Sequence, residues 1–372
     1  MRDILYLSFD SLREGVGASQ VLAYMRKVAP HFSVTIVSFE KQPPTLKDKS
    51  IVEKDGLIWV PLEFGKHGLI GGILRVYRMW KIVDRSKVIH ARSALPAFAA
   101  LLKLPSRLIW DCRALQSDQR RALSENKSVN LTFIAMRAIE YCLAKMSHEI
   151  IVITNAVIPI FISRYKISRS KIHVISTCVD LEKFQIKPSL RKPPIKILFA
   201  GTFSPAYDID LINKLRDKLQ EFSAVKLTVA TSLGSTNLWE GLKYDEVISV
   251  PHEQMPELIS RHDLGISVWK NDLGVCLKSV ASTKTAEFLA SGRPVLMNSL
   301  QGDFGTLIAD NRAGVVTQGA SQEEINEYAY DIIKLLGDSE TPMRCRALAE
   351  KELSLDLGVK ELTLLYKRLQ LA

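Results

Sequence analysis

The sequence predicts an α/β protein built from two doubly wound domains, on three observations. Apolar runs of strand length alternate with amphipathic helical segments along the whole chain, the βαβ rhythm of a mostly parallel sheet covered on both faces. A proline-rich, basic stretch, "QIKPSLRKPPIK" (185–196), divides that series in two. The chain has 372 residues, enough for two buried cores. In such sheets ligands sit at the carboxyl ends of the strands, so the residues that follow each strand carry most of the functional information.

In the first half the strands read as ILYLSF (4–9), VTIVSF (34–39), KVIHA (87–91), RLIW (107–110), EIIVI (149–153) and KIHVI (171–175). The second series reads as IKILFAG (195–201), VKLTVA (225–230), EVISV (246–250), LGISVW (264–269), PVLMN (294–298) and GVV (314–316), with helices over 208–221, 253–260, 283–291 and 321–336. The expected domains are therefore 1–187 and 188–355. The amphipathic segment "GVKELTLLYKRLQLA" (358–372) gives a terminal helix over 356–372, expected to pack back towards the first domain.

Composition narrows the class. The chain is 47% hydrophobic and 24% charged, ordinary for a globular protein. No apolar run approaches the roughly 18–20 residues of a bilayer span, and "MRDILYLSFDSL" reads as a strand, not a signal peptide. Five scattered cysteines without a CxxC point to free thiols in a reducing compartment. The net charge of +10 is uneven: residues 1–187 hold 29 Lys and Arg against 16 Asp and Glu, the remainder 21 against 24. That asymmetry suggests an anionic partner for the first half, a nucleic acid or a membrane surface, or else a merely solvated face. Neither stacking aromatics among the basic residues nor a recognition-helix pattern is present, which argues against nucleic acid.

Several short motifs follow strands. "GVGASQ" (15–20) puts Gly15 and Gly17 before a helix starting near Ala18, where bare amides suit a phosphate. A dinucleotide fingerprint would need a third glycine where Gln20 stands and a tighter turn, although Glu40 ends the next strand as a ribose-binding acid would; a plain flexible loop is the remaining reading. "DCRALQSD" (111–118) places Asp111 and Arg113 at a strand end, as a site pair or a structural ion pair. "HARSALP" (90–96) likewise puts His90, Arg92 and Ser93 after a strand, where a lone histidine is more often structural than functional. In "YDIDLI" (207–212), Asp208 and Asp210 read as helix-capping acids rather than ligands of a magnesium diphosphate. No His/Cys cluster has zinc spacing and no Ser-His-Asp set stands out. "GLIGGILRVYRMWKIVDR" (68–85) carries Leu69, Ile70, Ile73, Leu74, Tyr77 and Trp80 at helical spacing, bordered by Arg75, Arg78 and Lys81. Packing on the sheet is the default for such a stripe; the plane of a membrane interface is the alternative.

The richest stretch is "ASTKTAEFLASGRPVL" (281–296). Ser282, Thr283 and Thr285 suit a helix start, Gly292 and Pro294 end the helix, and Lys284 and Glu287 share one face of its first turns.

In its order of parts the chain resembles retaining glycosyltransferases of family four, with the GT-B fold: two doubly wound Rossmann-like domains facing a central cleft. "STKTAEFLASGRPVLMNSLQGDFG" (282–305) is similar to that family's nucleotide-sugar signature, and "GASQVLAYMRK", "HARSALPA", "WDCRA" and "VISTCVDLEKF" (174–184) fit a bacterial surface-polysaccharide branch. The resemblance makes Glu287 the ligand of the donor's ribose hydroxyls. The family's first signature glutamate falls at Ser279 and is absent. Thr202, after Gly201, stands where the family often has arginine, so Lys278 and Lys284 are the nearest replacements for the diphosphate cations. Arg113 stands where a histidine is common, giving Asp111, Arg113 and Lys284 as catalytic candidates. Gly15, Gly17, Ser19, Gly201, Thr202, Lys278, Ser282, Thr283, Lys284, Glu287 and Asp303, which opens a further short helix, are donor-binding candidates. Fixed cations and helix N-termini can stabilise a departing diphosphate without a metal, so no cofactor is expected beyond the nucleotide-sugar co-substrate.

The resemblance further implies a saccharide or lipid-linked acceptor, an anionic membrane surface met by the basic N-terminal domain, and a cytoplasmic protein peripheral to the inner membrane face. Its rivals are a non-catalytic GT-B subunit, suggested by the missing glutamate, a GT-B sugar-nucleotide epimerase and, more distantly, a nicotinamide oxidoreductase.

Overall fold

In the computed structural model, which describes residues 3–85, 87–123, 131–187, 193–231 and 240–371, the apolar runs of the first half form a seven-stranded parallel sheet. Its strands are β1 (Asp3–Leu7), β2 (Ser33–Glu40), β3 (Ile58–Glu63), β4 (Val88–Arg92), β5 (Leu108–Cys112), β6 (Glu149–Val152) and β7 (Ile172–Val174), ordered β3-β2-β1-β4-β5-β6-β7. Ile4 pairs with Val34 on one side and Val88 on the other. Four consecutive residues of β1, Ile4 to Leu7, are all buried, as expected of a parallel strand covered on both faces. The edge strand β3 has no counterpart in the sequence reading, because Pro61 breaks the β pattern; an edge tolerates it, having only one side of its backbone paired.

The second half repeats the design with β8 (Ile195–Ala200), β9 (Val225–Ala230), β10 (Glu246–Ile248), β11 (Leu264–Ser267), β12 (Val295–Asn298) and β13 (Gly314–Thr317), ordered β10-β9-β8-β11-β12-β13. Alternation along β8 sorts its side chains by face. Ile197 and Phe199 join the core under helices Ile209–Gln220 and Gln322–Gly337, while Leu198 and Ala200 join the core under helix Thr283–Ala290. Gly265 in β11 lets that last helix come close: a β-carbon there would lie 2.3 Å from the Phe288 ring. In both sheets the strand order reverses beside the first strand, between β1 and β4 and between β8 and β11, which is where open α/β sheets bind ligands.

The chain divides into two compact units, Met1–Ser176 with Asp356–Ala372, and Thr177–Leu355. Residues 177–187 thus lie in the second unit, not the first as the proline-rich stretch suggested. The reason is local: Val179 donates its amide to the Leu353 carbonyl at 2.8 Å and accepts from Leu355 at 2.9 Å, and Phe184 is buried in the second core. Of the 185–196 stretch, residues 188–192 lie outside the described residues. The terminal helix, Leu355–Leu371, brings Tyr366 into the first unit, where its ring lies 5.5 Å from Phe32 and its hydroxyl 2.6 Å from His90 Nδ1.

Helix Gly68–Ile82 overturns the expectation that its apolar stripe packs on the sheet. Leu69, Ile70, Ile73, Leu74 and Tyr77 are exposed, whereas Gly71, Arg75 and Met79 are buried. Arg75 holds the helix in that orientation. Its guanidinium lies 4.0 Å from the centre of the Phe64 ring and donates to the carbonyls of Phe64 at 3.0 Å and Lys66 at 2.8 Å. A delocalised cation with both a π face and two carbonyls tolerates burial that an ammonium would resist. Among the described residues no helix is long and apolar enough to cross a membrane.

Candidate functional site

In the second unit the stretch 281–296 folds as read: an N-terminal loop, the helix Thr283–Ala290, a left-handed Gly292 (φ +70°), and β12. Ser282 occupies the N-cap position but makes no side-chain capping bond, so it leaves the first amides of the helix uncapped by its hydroxyl. Lys284 and Glu287 are joined to each other: Nζ lies 2.7 Å from Oε2. Glu287 is only 1% exposed, and its Oε1 has no hydrogen-bond partner. The buried Thr285 hydroxyl is likewise unpartnered. His252 Nδ1, carried on the turn that follows β10, lies 4.0 Å from Oε1. Burial lowers the His252 pKa against the opposing pull of Glu287. His252 belongs to no motif of the sequence reading; Pro251-His252 after a strand is the only signal that would have found it.

The loops around this helix are tied by side-chain amides. Asn298, at the end of β12, accepts from the Trp269 amide at 3.1 Å and donates to Asn271 at 2.8 Å. The fully buried Gln301 donates to Asn298 and to the Ser267 carbonyl. With Gly302 donating to the Leu277 carbonyl at 2.9 Å, these bonds fix the 299–303 turn against the 271–280 segment. Lys278 is exposed at the end of that segment. Ser279 donates its hydroxyl to the Cys276 carbonyl at 3.0 Å and so serves as a local cap. Asp303 stands at the start of helix Phe304–Asp310. Gly201 continues β8 by donating to the Ala230 carbonyl, and Thr202 beyond it is exposed. Asp208 caps helix Ile209–Gln220 through the Leu211 amide at 3.1 Å, and Asp210 pairs with Lys214 at 2.8 Å. Among the described residues there is no group of three or more His, Cys, Asp or Glu side chains arranged to hold a metal.

The first unit carries a separate polar cluster at the carboxyl ends of β1, β4 and β5. Asp111 is fully buried. It lies 2.9 Å from Arg113 Nε, 3.3 Å from His90 Nε2 and 3.9 Å from Arg92 Nη1. Burial alone would raise the Asp111 pKa; the Arg113 charge, the adjacent His90 ring and the Arg92 charge override it, and the carboxyl titrates well below its usual range. Burial lowers the His90 pKa, opposed by the neighbouring Asp111 carboxylate. Arg92 reaches outwards to Asp10 at 2.8 Å. The two motifs read separately as "HARS" and "DCRA" are therefore one buried electrostatic unit. The tyrosine that closes it on the far side of His90, Tyr366, could not be found by local pattern, being 276 residues away in the chain.

The glycine loop lies on the same unit. Glu40 is 1% exposed and fully engaged: it accepts from the Leu12 amide at 3.0 Å, from Ser38 at 2.7 Å and from Ser11 at 2.5 Å, and pairs with Arg13. It shapes the loop and is not available to a ribose, which removes the dinucleotide reading. Gly17 starts a π-helical turn (Gly17–Leu22), and a β-carbon on it would lie 1.8 Å from the Ser11 carbonyl oxygen. Ser19 folds its hydroxyl back onto the Gly15 carbonyl at 3.0 Å.

Comparison with known proteins adds the following. Residues 18–183 match the model of Glycosyltransferase Family 4. No curated protein matches the sequence. Among solved structures, a glycosyltransferase from Rickettsia africae ESF-5 superposes with a TM-score of 0.69 at 13% identity, over 99% of this chain and 98% of that one. HepE from Anabaena, in complex with UDP and glucose, gives 0.69 at 14% identity over 99% and 100%. WaaG, a glycosyltransferase involved in lipopolysaccharide biosynthesis, gives 0.66 at 13% identity over 96% and 98%.

Proposed function

From a chain that has the GT-B fold and whose residues 18–183 match Glycosyltransferase Family 4, we propose a retaining transferase that moves a sugar from a nucleotide-sugar donor to a saccharide or lipid-linked saccharide acceptor in bacterial surface-polysaccharide synthesis. One observation carries the donor half: Glu287 is a buried carboxylate at the start of a helix with one oxygen unpartnered. Burying such an acceptor without a partner costs free energy, and two vicinal hydroxyls of a ribose would satisfy it. Structures of HepE with UDP and with UDP-glucose, on the same fold, support that ligand class.

In this reading Lys284 keeps two of its three N–H donors for phosphate oxygens while the third binds Glu287. Ser282, Thr283 and the first amides of their helix, with Gly201, Thr202, Lys278 and Asp303, complete the donor side of the second unit; within the first unit, Gly15, Gly17 and Ser19 are the candidates for a phosphate. The bond from the sugar's anomeric carbon to the diphosphate breaks, and its electron pair leaves on the phosphate oxygen, where Lys284 and the helix amides stabilise it without a metal. The acceptor hydroxyl attacks from the face the diphosphate leaves, which retains configuration, and its proton passes to that phosphate oxygen. Asp111 and Arg113 serve the acceptor side, Asp111 fixing the guanidinium that faces the saccharide. The excess of cations in the first 187 residues favours the anionic cytoplasmic leaflet, placing the protein peripherally on that membrane face.

Ser279 favours one rival, a non-catalytic subunit, since its hydroxyl is turned to Cys276 and no carboxylate stands there. Purified protein is to be incubated with a panel of nucleotide sugars and saccharide acceptors, reading binding by calorimetry and product by mass. Turnover to a retained glycoside supports the transferase. Binding without turnover selects the subunit, donor conversion without acceptor selects the epimerase, and no nucleotide binding refutes the reading altogether.

A further inference from the structure

Helix Gly68–Ile82 presents its apolar side outwards, an arrangement that its buried Arg75 enforces. Leu69 and Ile70 are 69% and 71% exposed and Ile73 is 60% exposed, values that mark a face with no covering element within the described residues. The surroundings are predominantly basic, although the exposed acids Glu63 and Asp84 bound the segment. Residues 64–83 and 93–110 contain no aspartate or glutamate, while Lys66, Arg78, Lys81, Lys103 and Arg107 fall within them. The two segments touch: helix Gly68–Ile82 packs on helix Ala94–Leu101, and Lys103 Nζ lies 4.8 Å from the Trp80 ring. Trp80 in turn stacks on Tyr77 with ring centroids 6.0 Å apart.

We propose that this face is a lipid-docking surface, laid in the plane of an anionic bilayer with Leu69, Ile70, Ile73 and Leu74 in the acyl boundary and the flanking cations among the headgroups. It names the element behind the membrane association suggested above, and rests on that reading. Exposed aliphatic side chains gain by leaving water, a Trp/Tyr pair suits the headgroup level, and a predominantly basic border attracts anionic headgroups. Charge argues against the other occupant, a second copy: a two-fold contact through this face would set the same cations against each other, with cations in excess of the flanking acids on both sides. Nucleic acid would match the cations but leave the aliphatic row in water. The helix has 15 residues, too short to span, and its opposite side is fastened to Phe64 and Lys66 through Arg75 and to helix Ala94–Leu101, so it lies on the bilayer and does not cross.

The test is co-sedimentation of the full chain with vesicles of pure phosphatidylcholine, or with one third phosphatidylglycerol, at low and high salt. Two double variants, Leu69→Gln/Ile73→Gln and Arg78→Gln/Lys81→Gln, are compared with the wild type. UDP binding and solution mass are measured on all three, to show that they are folded and to read their oligomeric state. The expected result is wild-type binding to the anionic vesicles only. Binding should be weakened about tenfold or more by the apolar variant, and by the basic variant or high salt, with UDP binding unchanged. Anionic-vesicle binding that the apolar variant leaves intact overturns the docking face but not the charge-led membrane association. No vesicle binding overturns both, and a wild-type dimer that the apolar variant converts to monomer overturns the docking face. Loss of UDP binding by the wild type strikes the donor reading alone.

Discussion

Replacing Glu287 probes the proposed donor site most directly. Its carboxylate is 1% exposed, with Oε2 committed to Lys284 and Oε1 unpartnered, so a bound ribose would meet a desolvated, charged acceptor. Hydrogen bonds to charged groups contribute about 1.5–3 kcal/mol each. Two ribose hydroxyls at the lower figure amount to about 3 kcal/mol, or roughly 100-fold in Kd. Glu287→Ala should therefore weaken UDP binding by that factor. Glu287→Gln, which keeps one neutral acceptor oxygen, should weaken it about tenfold. The fold should survive both changes, because Lys284 is 24% exposed and can turn to water once its partner is gone. The discriminating measurement is calorimetry of UDP against its 2′,3′-dideoxy analogue. The wild type should prefer UDP strongly, and Glu287→Ala should bind both alike. A variant that still prefers the hydroxylated nucleotide, or binds UDP as tightly as the wild type, refutes the argument.

Two further outcomes are expected. Asp111→Asn leaves Arg113 and Arg92 without their buried counter-charge; the urea midpoint should fall by the equivalent of about 3–5 kcal/mol, and transfer should be lost. An unchanged midpoint would show that the cluster is not one electrostatic unit. Stability should also decline as pH falls from 7.5 to 5.5. His90, His148, His252 and His262 all have pKa values lowered by burial, so below the ordinary value near 6.5 the unfolded chain binds protons that the folded chain does not. The lowered Asp111 adds its own loss only at more acid pH. Thermal midpoints across that window, shallower in His90→Asn, check this; a midpoint that holds level or rises on acidification contradicts it.

The sheets were legible because parallel strands, buried on both faces, are written as unbroken apolar runs such as ILYLSF and IKILFAG. The edge strand with Pro61 was not, since it obeys a looser rule. Helical periodicity located Gly68–Ile82 but not its direction: a 3.6-residue stripe states that a helix has two sides, and only the Arg75–Phe64 contact decides which side meets the protein. Spacing brought Lys284 and Glu287 together. It could not reveal His252, which arrives from another strand, nor Gln301, whose carboxamide reads as an ordinary loop residue until it is seen to be fully buried. His90 looked like a lone histidine because its partner Tyr366 is supplied from the last helix.

That last helix has an engineering consequence. Since the first unit takes up the chain again at Asp356, the second unit is an internal cassette, Thr177–Leu355, with both of its ends wired into one host. A truncation after residue 176 strips Tyr366 from His90 and Phe32, and is a damaged host rather than an isolated half. Exchanging the second unit between relatives of this architecture is therefore a two-junction splice, with the terminal helix retained from the recipient.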